Sequence, residues 1–145
     1  MIYETGCASY TLNLNSLDVL TSYVSTGSGG FAYITSTGSS TGNVYFDDST
    51  FGTTNAVIDG GLFYLVGSNP ILIRFTTTNT ITSSIATQNG GVFSLNNADQ
   101  TTITMSTGST VGITTCTAGQ SGGFVYQGTT SKQLYVNFIG ATTFT

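Results

Sequence analysis

Pairs of adjacent glycines recur along the sequence at nearly constant spacing. The pairs begin at Gly29, Gly60, Gly90 and Gly122, so they lie 31, 30 and 32 residues apart. A small residue stands four positions before each pair and a large apolar residue nine positions before it. The small residues are Ser25, Ala56, Ala86 and Ala118, and the large ones are Leu20, Phe51, Ile81 and Ile113. A period of this length is typical of proteins built from stacked repeats.

Each period also contains short runs of apolar residues. One run follows the glycine pair directly, and a second lies at mid-repeat, at residues 44–46, 71–73, 103–105 and 134–136. With the stretch that precedes the next pair, each period offers three short strands separated by Gly, Asn, Asp and Ser. At about 3.3 Å per residue, such a period with three corners closes into one coil of a solenoid.

The spacing therefore predicts an all-β chain that forms one domain, residues 1–145. We expect a right-handed parallel β-helix, or β-solenoid, with about 30–32 residues and three short strands per coil and four to five coils. Glycine pairs provide a positive φ at the corners. The structural corner residues are Gly29, Gly30, Gly60, Gly61, Gly90, Gly91, Gly122 and Gly123. An antiparallel sandwich is the alternative, but its hairpin turns recur about every 8–12 residues.

The element A-x-x-x-G-G followed by two apolar residues occurs as AVIDGGLF, ATQNGGVF and AGQSGGFV. It resembles the repeats of the chlamydial polymorphic outer membrane proteins and of giant protist surface proteins, which pair a GGA[ILV] segment with an FxxN segment. Phe51 stands at the position of that Phe, whereas the Asn is replaced in every repeat. The replacing residues are Tyr23, Thr54, Ser84 and Cys116. The resemblance implies a right-handed parallel β-helix displayed at a cell surface.

Charge and composition exclude several classes of function. Only 6% of the residues are charged, and the net charge is −4. Arg74 and Lys132 are the only basic residues, too few to neutralise a row of phosphates. The chain has no His, and its two cysteines cannot form a structural zinc site alone. No apolar run approaches the roughly 20 residues that span a bilayer. We expect no catalytic residue, cofactor, metal, nucleic-acid partner or membrane insertion.

One acidic pair is a candidate for the remnant of a catalytic site. Asp47 and Asp48 are adjacent, and Arg74 is expected in the next coil. Polysaccharide lyases of the β-helix type use Asp clusters with calcium and a basic residue, but cleavage needs several carboxylates on one face. We therefore favour solvated turn residues joined by a cross-coil ion pair. The remaining aspartates, expected at other corners, are Asp18, Asp59 and Asp99.

Threonine tracts are the most prominent polar feature. Alternate residues of a strand point to the same side, so T-x-T pairs predict outward ladders of hydroxyl and methyl groups. The candidate O-glycan or ligand-facing residues are Thr76, Thr78, Thr80, Thr82, Thr102 and Thr104. Three interpretations remain open: a preference for strands with no further role, O-glycosylation, and ice binding or adhesion.

The residues at the two ends of the chain lead to a prediction about how its coils continue. The last mid-repeat strand covers residues 134–138, and the chain stops at Phe144 and Thr145, where we expect the third strand to begin. At the other end, Gly6 and Cys7 are predicted to occupy a glycine-pair corner. Uncapped strand edges are templates for pairing. The chain is therefore expected to be an excerpt whose neighbouring coils lie in a longer chain, or a protomer that stacks head to tail into a filament. An isolated monomer with frayed ends is the third alternative.

Together these observations predict a non-enzymatic structural β-solenoid, extracellular or at the cell surface. It would form part of a fibre, filament or stalk, with O-glycosylation of its hydroxyl surface as an option and glycans as further partners. One alternative is an adhesin or ice-binding module that uses the threonine ladders. The other is a remnant of a polysaccharide lyase.

Overall fold

The computed structural model describes residues 1–38, 40–67 and 70–145. Strands are the only regular elements in these ranges, and every pairing between them is parallel. The first two coils contain β1 (Ile2–Cys7), β2 (Thr11–Asn15), β3 (Asp18–Val24), β4 (Ala32–Ser36), β5 (Gly42–Asp47) and β6 (Thr50–Ala56). The third contains β7 (Phe63–Gly67), β8 (Ile71–Thr76), β9 (Thr78–Thr82) and β10 (Ser84–Ala86). The last two contain β11 (Phe93–Asn96), β12 (Gln100–Met105), β13 (Thr110–Thr114), β14 (Thr117–Ala118), β15 (Val125–Gln127), β16 (Gln133–Phe138) and β17 (Ala141–Phe144).

The strands form three parallel sheets that enclose one core. The first sheet has the order β1-β4-β7-β11-β15 and the second the order β2-β5-β8-β12-β16. The third contains β3, β6, β9, β10, β13, β14 and β17. Each coil contributes to all three sheets, so the predicted parallel β-solenoid is confirmed, with five coils.

The third side differs from the prediction of one strand per coil. In the third and fourth coils it breaks into two short strands at Ser83 and Thr115, whose φ angles are 55° and 48°. The unbroken strand β6 therefore pairs with β9 through its first residues and with β10 through its last. Positive φ in a non-glycine residue interrupts a strand because it turns the backbone out of the extended region. These two coils have four strands, not three.

Large apolar side chains fill the interior. Five phenylalanines are completely buried: Phe46, Phe51, Phe63, Phe75 and Phe93. The rings of Phe46 and Phe75, on neighbouring strands of the second sheet, stack with centroids 4.4 Å apart. Phe46 also meets Phe63 of the first sheet edge to face, with centroids 5.6 Å apart. Stacking along the axis and edge-to-face contacts across it join the sheets into one core.

The predicted ladder is wrong in the first coil. Val19, not Leu20, pairs with Phe51, and Val24, not Ser25, pairs with Ala56. Tyr23 likewise lies outside, because Ser22 is the partner of Thr54. Val24 stands five positions before Gly29, whereas Ala56 stands four positions before Gly60. This extra corner residue shifts the strand by one position, which exchanges its inner and outer faces.

Replacing Val19 by Asp tests this register. Val19 packs against the core, whereas Leu20 is 74% exposed. We expect Val19→Asp to lower the free energy of unfolding by about 2 kcal/mol because it places a charge against apolar side chains. Leu20→Asp is expected to change it by no more than about 0.5 kcal/mol. Urea unfolding followed by circular dichroism measures both free energies. A larger loss for Leu20→Asp would mean that Leu20, and not Val19, faces the core.

Both chain ends also differ from the prediction. The third strand of the last coil begins at Ala141, not at Phe144, because β17 pairs with β13 from Ala141 onward. Gly6 and Cys7 are not at a glycine-pair corner. They lie at the end of β1, where the register shifts and Cys7 comes to pair with Ser36.

Candidate functional site

The glycine pairs lie at the corner between the third and first sheets. The first glycine of each pair has a φ between 66° and 75°, in the left-handed region that favours glycine. The second glycine donates its N–H to the carbonyl of the first glycine one coil further on. Gly61 donates to Gly90 over 3.0 Å and Gly91 to Gly122 over 2.9 Å. The corner is thus a hydrogen-bonded column that continues from coil to coil.

The second glycine is required for a different reason than the first. A Cβ built on Gly61 would lie 2.2 Å from the carbonyl oxygen of Gly91, and one on Gly91 would lie 2.2 Å from that of Gly123. Positive φ belongs to Gly90, not to Gly91. Close approach of successive backbones, not backbone conformation, therefore excludes a side chain at Gly61 and Gly91.

A column of hydroxyl groups lies behind the same corner and was missed by the sequence analysis. Ser84 Oγ donates to the Gly91 carbonyl oxygen over 2.6 Å, and Ser22 Oγ bonds Gly30 in the same way. Thr54 Oγ1 donates to Ser84 Oγ over 2.8 Å. The column ends at Cys116. Burial raises the pKa of its thiol, and hydrogen bonds with the backbone offset only part of this rise. The sequence signal for this column was a small polar residue three positions after the large apolar one, as in Thr54 after Phe51 and Ser84 after Ile81.

The candidate threonines lie on two different sheets. Thr78, Thr80 and Thr82 point outward from the third sheet, while Asn79 and Ile81 between them are buried. The partners of Thr78 and Thr82 in the next coil are also threonines, whereas Thr80 faces Gly112.

The other three candidates belong to the second sheet. Thr102 pairs with Leu72 and Thr104 with Arg74, so neither continues a threonine ladder into the preceding coil. Thr76 ends β8 and donates to the Phe46 carbonyl oxygen over 3.1 Å. Threonine rungs therefore involve only the three candidates of the third sheet, and the six residues do not make one flat face.

The acidic pair is divided by a corner. Asp47 ends β5 and points outward, whereas Asp48 has a φ of 50° and lies in the turn that follows. The predicted cross-coil ion pair is wrong, since no described carboxylate pairs with Arg74, whose Nε donates to Ser106 Oγ over 3.1 Å. The ion pair in the described part of the chain joins Lys132 to Asp99. Asp59 accepts from the backbone and side chain of Asn89, each over 3.0 Å.

Outward tyrosines form a stack on the first sheet. The ring centroids of Tyr3 and Tyr33 are 5.0 Å apart, and those of Tyr33 and Tyr64 are 5.1 Å apart. Burial raises the pKa of Tyr33, and its two tyrosine neighbours add to the rise. In the fourth coil Ser94 interrupts the column before Tyr126. Stacked rings shield each other and stiffen this side of the solenoid.

The C-terminal end of the solenoid exposes its core. A cavity of about 280 Å³ opens there, lined by Ile113, Cys116, Gly123, Phe124, Phe144 and Thr145. Phe138, Ile139 and Phe144 are 54%, 62% and 45% exposed. Phe138 ends β16 and Phe144 ends β17, and each of these strands is hydrogen-bonded to a neighbour on one side only. Unpaired backbone and apolar side chains therefore share one surface.

Comparisons of the chain with protein-family models, curated proteins and solved structures found no match. Among the described residues, no three His, Cys, Asp or Glu side chains lie together as a metal site would require. The described chain also has no helix with the length and hydropathy needed to cross a membrane.

Proposed function

We propose that this chain is a structural β-solenoid whose coils continue by end-to-end stacking, as part of a fibre, filament or stalk. The observation that carries the proposal is the C-terminal end, where strand edges and apolar side chains are exposed together. Each exposed edge offers a row of N–H and C=O groups that another parallel strand can pair with. Apolar contacts at the same surface add the burial that favours association.

The N-terminal end of a second copy has the matching shape. Its edge strands are β1, β2 and β3, one from each sheet, and the C-terminal end offers β15, β16 and β17 of the same sheets. Ile2, Leu12 and Val19 of the first coil face the core and are only partly covered. A copy stacked in register would cover them with Val125, Val136 and Phe144, which occupy the same columns. The contact is head to tail and does not close, so it generates an open fibre.

The surface supports a location outside the cell or at its surface. Outward positions are rich in threonine, and only 6% of all residues are charged. The resemblance of the glycine-pair element to the repeats of chlamydial and protist surface proteins supports the same location. O-glycans on exposed residues such as Thr78 would keep so weakly charged a rod in solution. Mass spectrometry of the chain secreted from a eukaryotic host tests this modification.

Replacing Ile139 by Asp tests the stacking. Ile139 lies between β16 and β17 at the exposed end, so a carboxylate there would be trapped in the contact without entering the core. We expect the wild-type chain to form particles that lengthen with concentration in negative-stain microscopy and light scattering. The Ile139→Asp chain is expected to remain monomeric under the same conditions.

The matched control is Ile58→Asp, which adds the same charge to an exposed isoleucine in a middle coil. Both variants are checked for unchanged urea unfolding at low protein concentration. Assembly of the Ile58→Asp chain together with loss of assembly in the Ile139→Asp chain supports stacking. A wild-type chain that stays monomeric at every concentration, or equal assembly of both variants, refutes it.

A further inference from the structure

A polar groove crosses the outer surface of the second sheet in the first three coils. Its volume is about 450 Å³, within the usual range for small-ligand sites. Residues of three adjacent strands line it: Leu14 and six outward polar or aromatic residues, Asn13, Asn15, Tyr45, Asp47, Arg74 and Thr76. Asn13, Tyr45 and Arg74 form one rung, and Asn15, Asp47 and Thr76 form the next. The parallel register therefore assembles side chains that lie about 30 residues apart in sequence.

The carboxylate of Asp47 is held by only one of its two oxygens. Thr77 Oγ1 donates to Oδ1 over 2.6 Å, and Thr76 Oγ1, which donates to the Phe46 carbonyl oxygen, lies 3.2 Å from the same oxygen. None of the described residues donates a hydrogen bond to Oδ2. The Thr77 hydroxyl thus orients the carboxylate and leaves Oδ2 as a strong acceptor open to the groove.

Arg74 provides donors on the neighbouring strand. Its Nε is used by Ser106, and its two terminal nitrogens make no ion pair or hydrogen bond with any described residue. The guanidinium carries five N–H donors in a plane, of which four remain available. Within the described ranges, Oδ2 of Asp47 and the terminal nitrogens of Arg74 thus have no partner, and both side chains line one groove.

Tyr45 supplies an apolar surface between these polar groups. Its OH donates to Asn43 Oδ1 of the same strand over 3.2 Å, so the ring leans along β5 and is fixed in position. The ring is half-buried, and Arg74 stands opposite Tyr45 in the register. An immobilised ring costs little entropy when a ligand packs on it.

We propose that this groove binds a neutral saccharide. A sugar ring offers adjacent hydroxyls, one of which can donate to Asp47 Oδ2 while another accepts from Arg74, and its C–H face can pack on Tyr45. The opposite charges of Asp47 and Arg74 offset each other, which disfavours a strongly anionic or cationic ligand. Asn13 and Asn15 add amide groups that both donate and accept. Asp47 is the one carboxylate among the described lining residues, and Asp48 is not among them, so we expect binding without cleavage.

The test begins with an array of neutral and acidic oligosaccharides, followed by titration calorimetry with the neutral glycan that gives the strongest signal. We expect weak binding by the wild-type chain, with a Kd on the order of 1 mM or below. Tyr45→Ala and Arg74→Gln are each expected to raise this Kd at least about tenfold, the effect of losing one stacking surface or one charged donor.

Two controls match these substitutions. Tyr135→Ala removes a tyrosine of the same sheet whose OH bonds the residue two positions earlier in the same way, to Gln133 Oε1, but outside the groove. Lys132→Gln removes the other basic side chain. Both are expected to bind like the wild type. Absence of any saccharide binding, binding of acidic glycans alone, or equal losses in the control variants each overturns the proposal.

Discussion

Replacing Gly61 by alanine is expected to lower the free energy of unfolding by about 3 kcal/mol, the upper part of the range for overpacking. The new Cβ would lie 2.2 Å from the Gly91 carbonyl oxygen and 2.6 Å from the Ile85 nitrogen. Both atoms belong to backbone, so no flexible side chain can move away. The substitution must push two coils apart and weaken the hydrogen bond from Gly61 to Gly90. Urea unfolding followed by circular dichroism measures the loss.

Gly112→Ala is the matched control. Gly112 lies in β13, and a Cβ there would meet no atom within 4 Å. We expect this variant to gain about 0.5 to 1 kcal/mol, because alanine loses less conformational freedom on folding than glycine. A Gly61→Ala chain as stable as the wild type would show that the corner does not require its glycine.

The second large effect is expected from Phe46→Ala, which should cost about 4 kcal/mol, within the range for deleting a buried aromatic side chain. Phe46 is completely buried and forms ring contacts with four other phenylalanines, Phe51, Phe63, Phe75 and Phe93. Its removal leaves a cavity where all three sheets meet. A domain of this size has a total stability of about 7 to 20 kcal/mol, so the variant is expected to unfold at clearly lower urea concentrations.

Tyr135→Ala serves as the comparison, because Tyr135 is an aromatic residue of the same sheet that is 46% exposed. Its loss is expected to change the free energy of unfolding by no more than about 0.5 to 1 kcal/mol. Phe46→Leu, which refills most of the space, should recover part of the stability. Equal losses in Phe46→Ala and Tyr135→Ala would mean that the phenylalanine cluster is not the centre of the core.

The spacing of residues in the sequence predicts some side-chain columns correctly and others wrongly. In the middle coils, counting back from the glycine pair places Phe51 and Ile81 in one inner column and Ala56 and Ala86 in another, as the strand pairing does. The same count fails for Leu20, because a corner of variable length lies between it and Gly29. Strand residues alternate between the two faces, so a single extra residue exchanges inside and outside. Counting is therefore sound only where the corners have equal length.

The candidate groove shows a second limit. Asp47 and Arg74 are visible in the sequence as an acidic and a basic residue one coil apart. The atoms that they leave free, and the position of Tyr45 opposite Arg74, depend on register and on side-chain partners. Thr77 holds one oxygen of Asp47, and Ser106 holds Nε of Arg74. A period defines which coil a residue occupies, but hydrogen bonds across coils decide which of its atoms remain free.

The sequence by itself determined the repeat, the parallel stacking and the glycine corners of this protein. Coils that stack about 4.8 Å apart require a residue of similar size and polarity at each equivalent position. This requirement recurs in every coil, so it leaves a periodic pattern in the sequence. Only the tertiary structure decided the inner face of β3, the break of the third side at Ser83 and Thr115, and the composition of the groove. These features depend on the lengths of individual corners and on contacts that occur in only one or two coils. Such contacts are not repeated from coil to coil, so they leave no periodic pattern in the sequence.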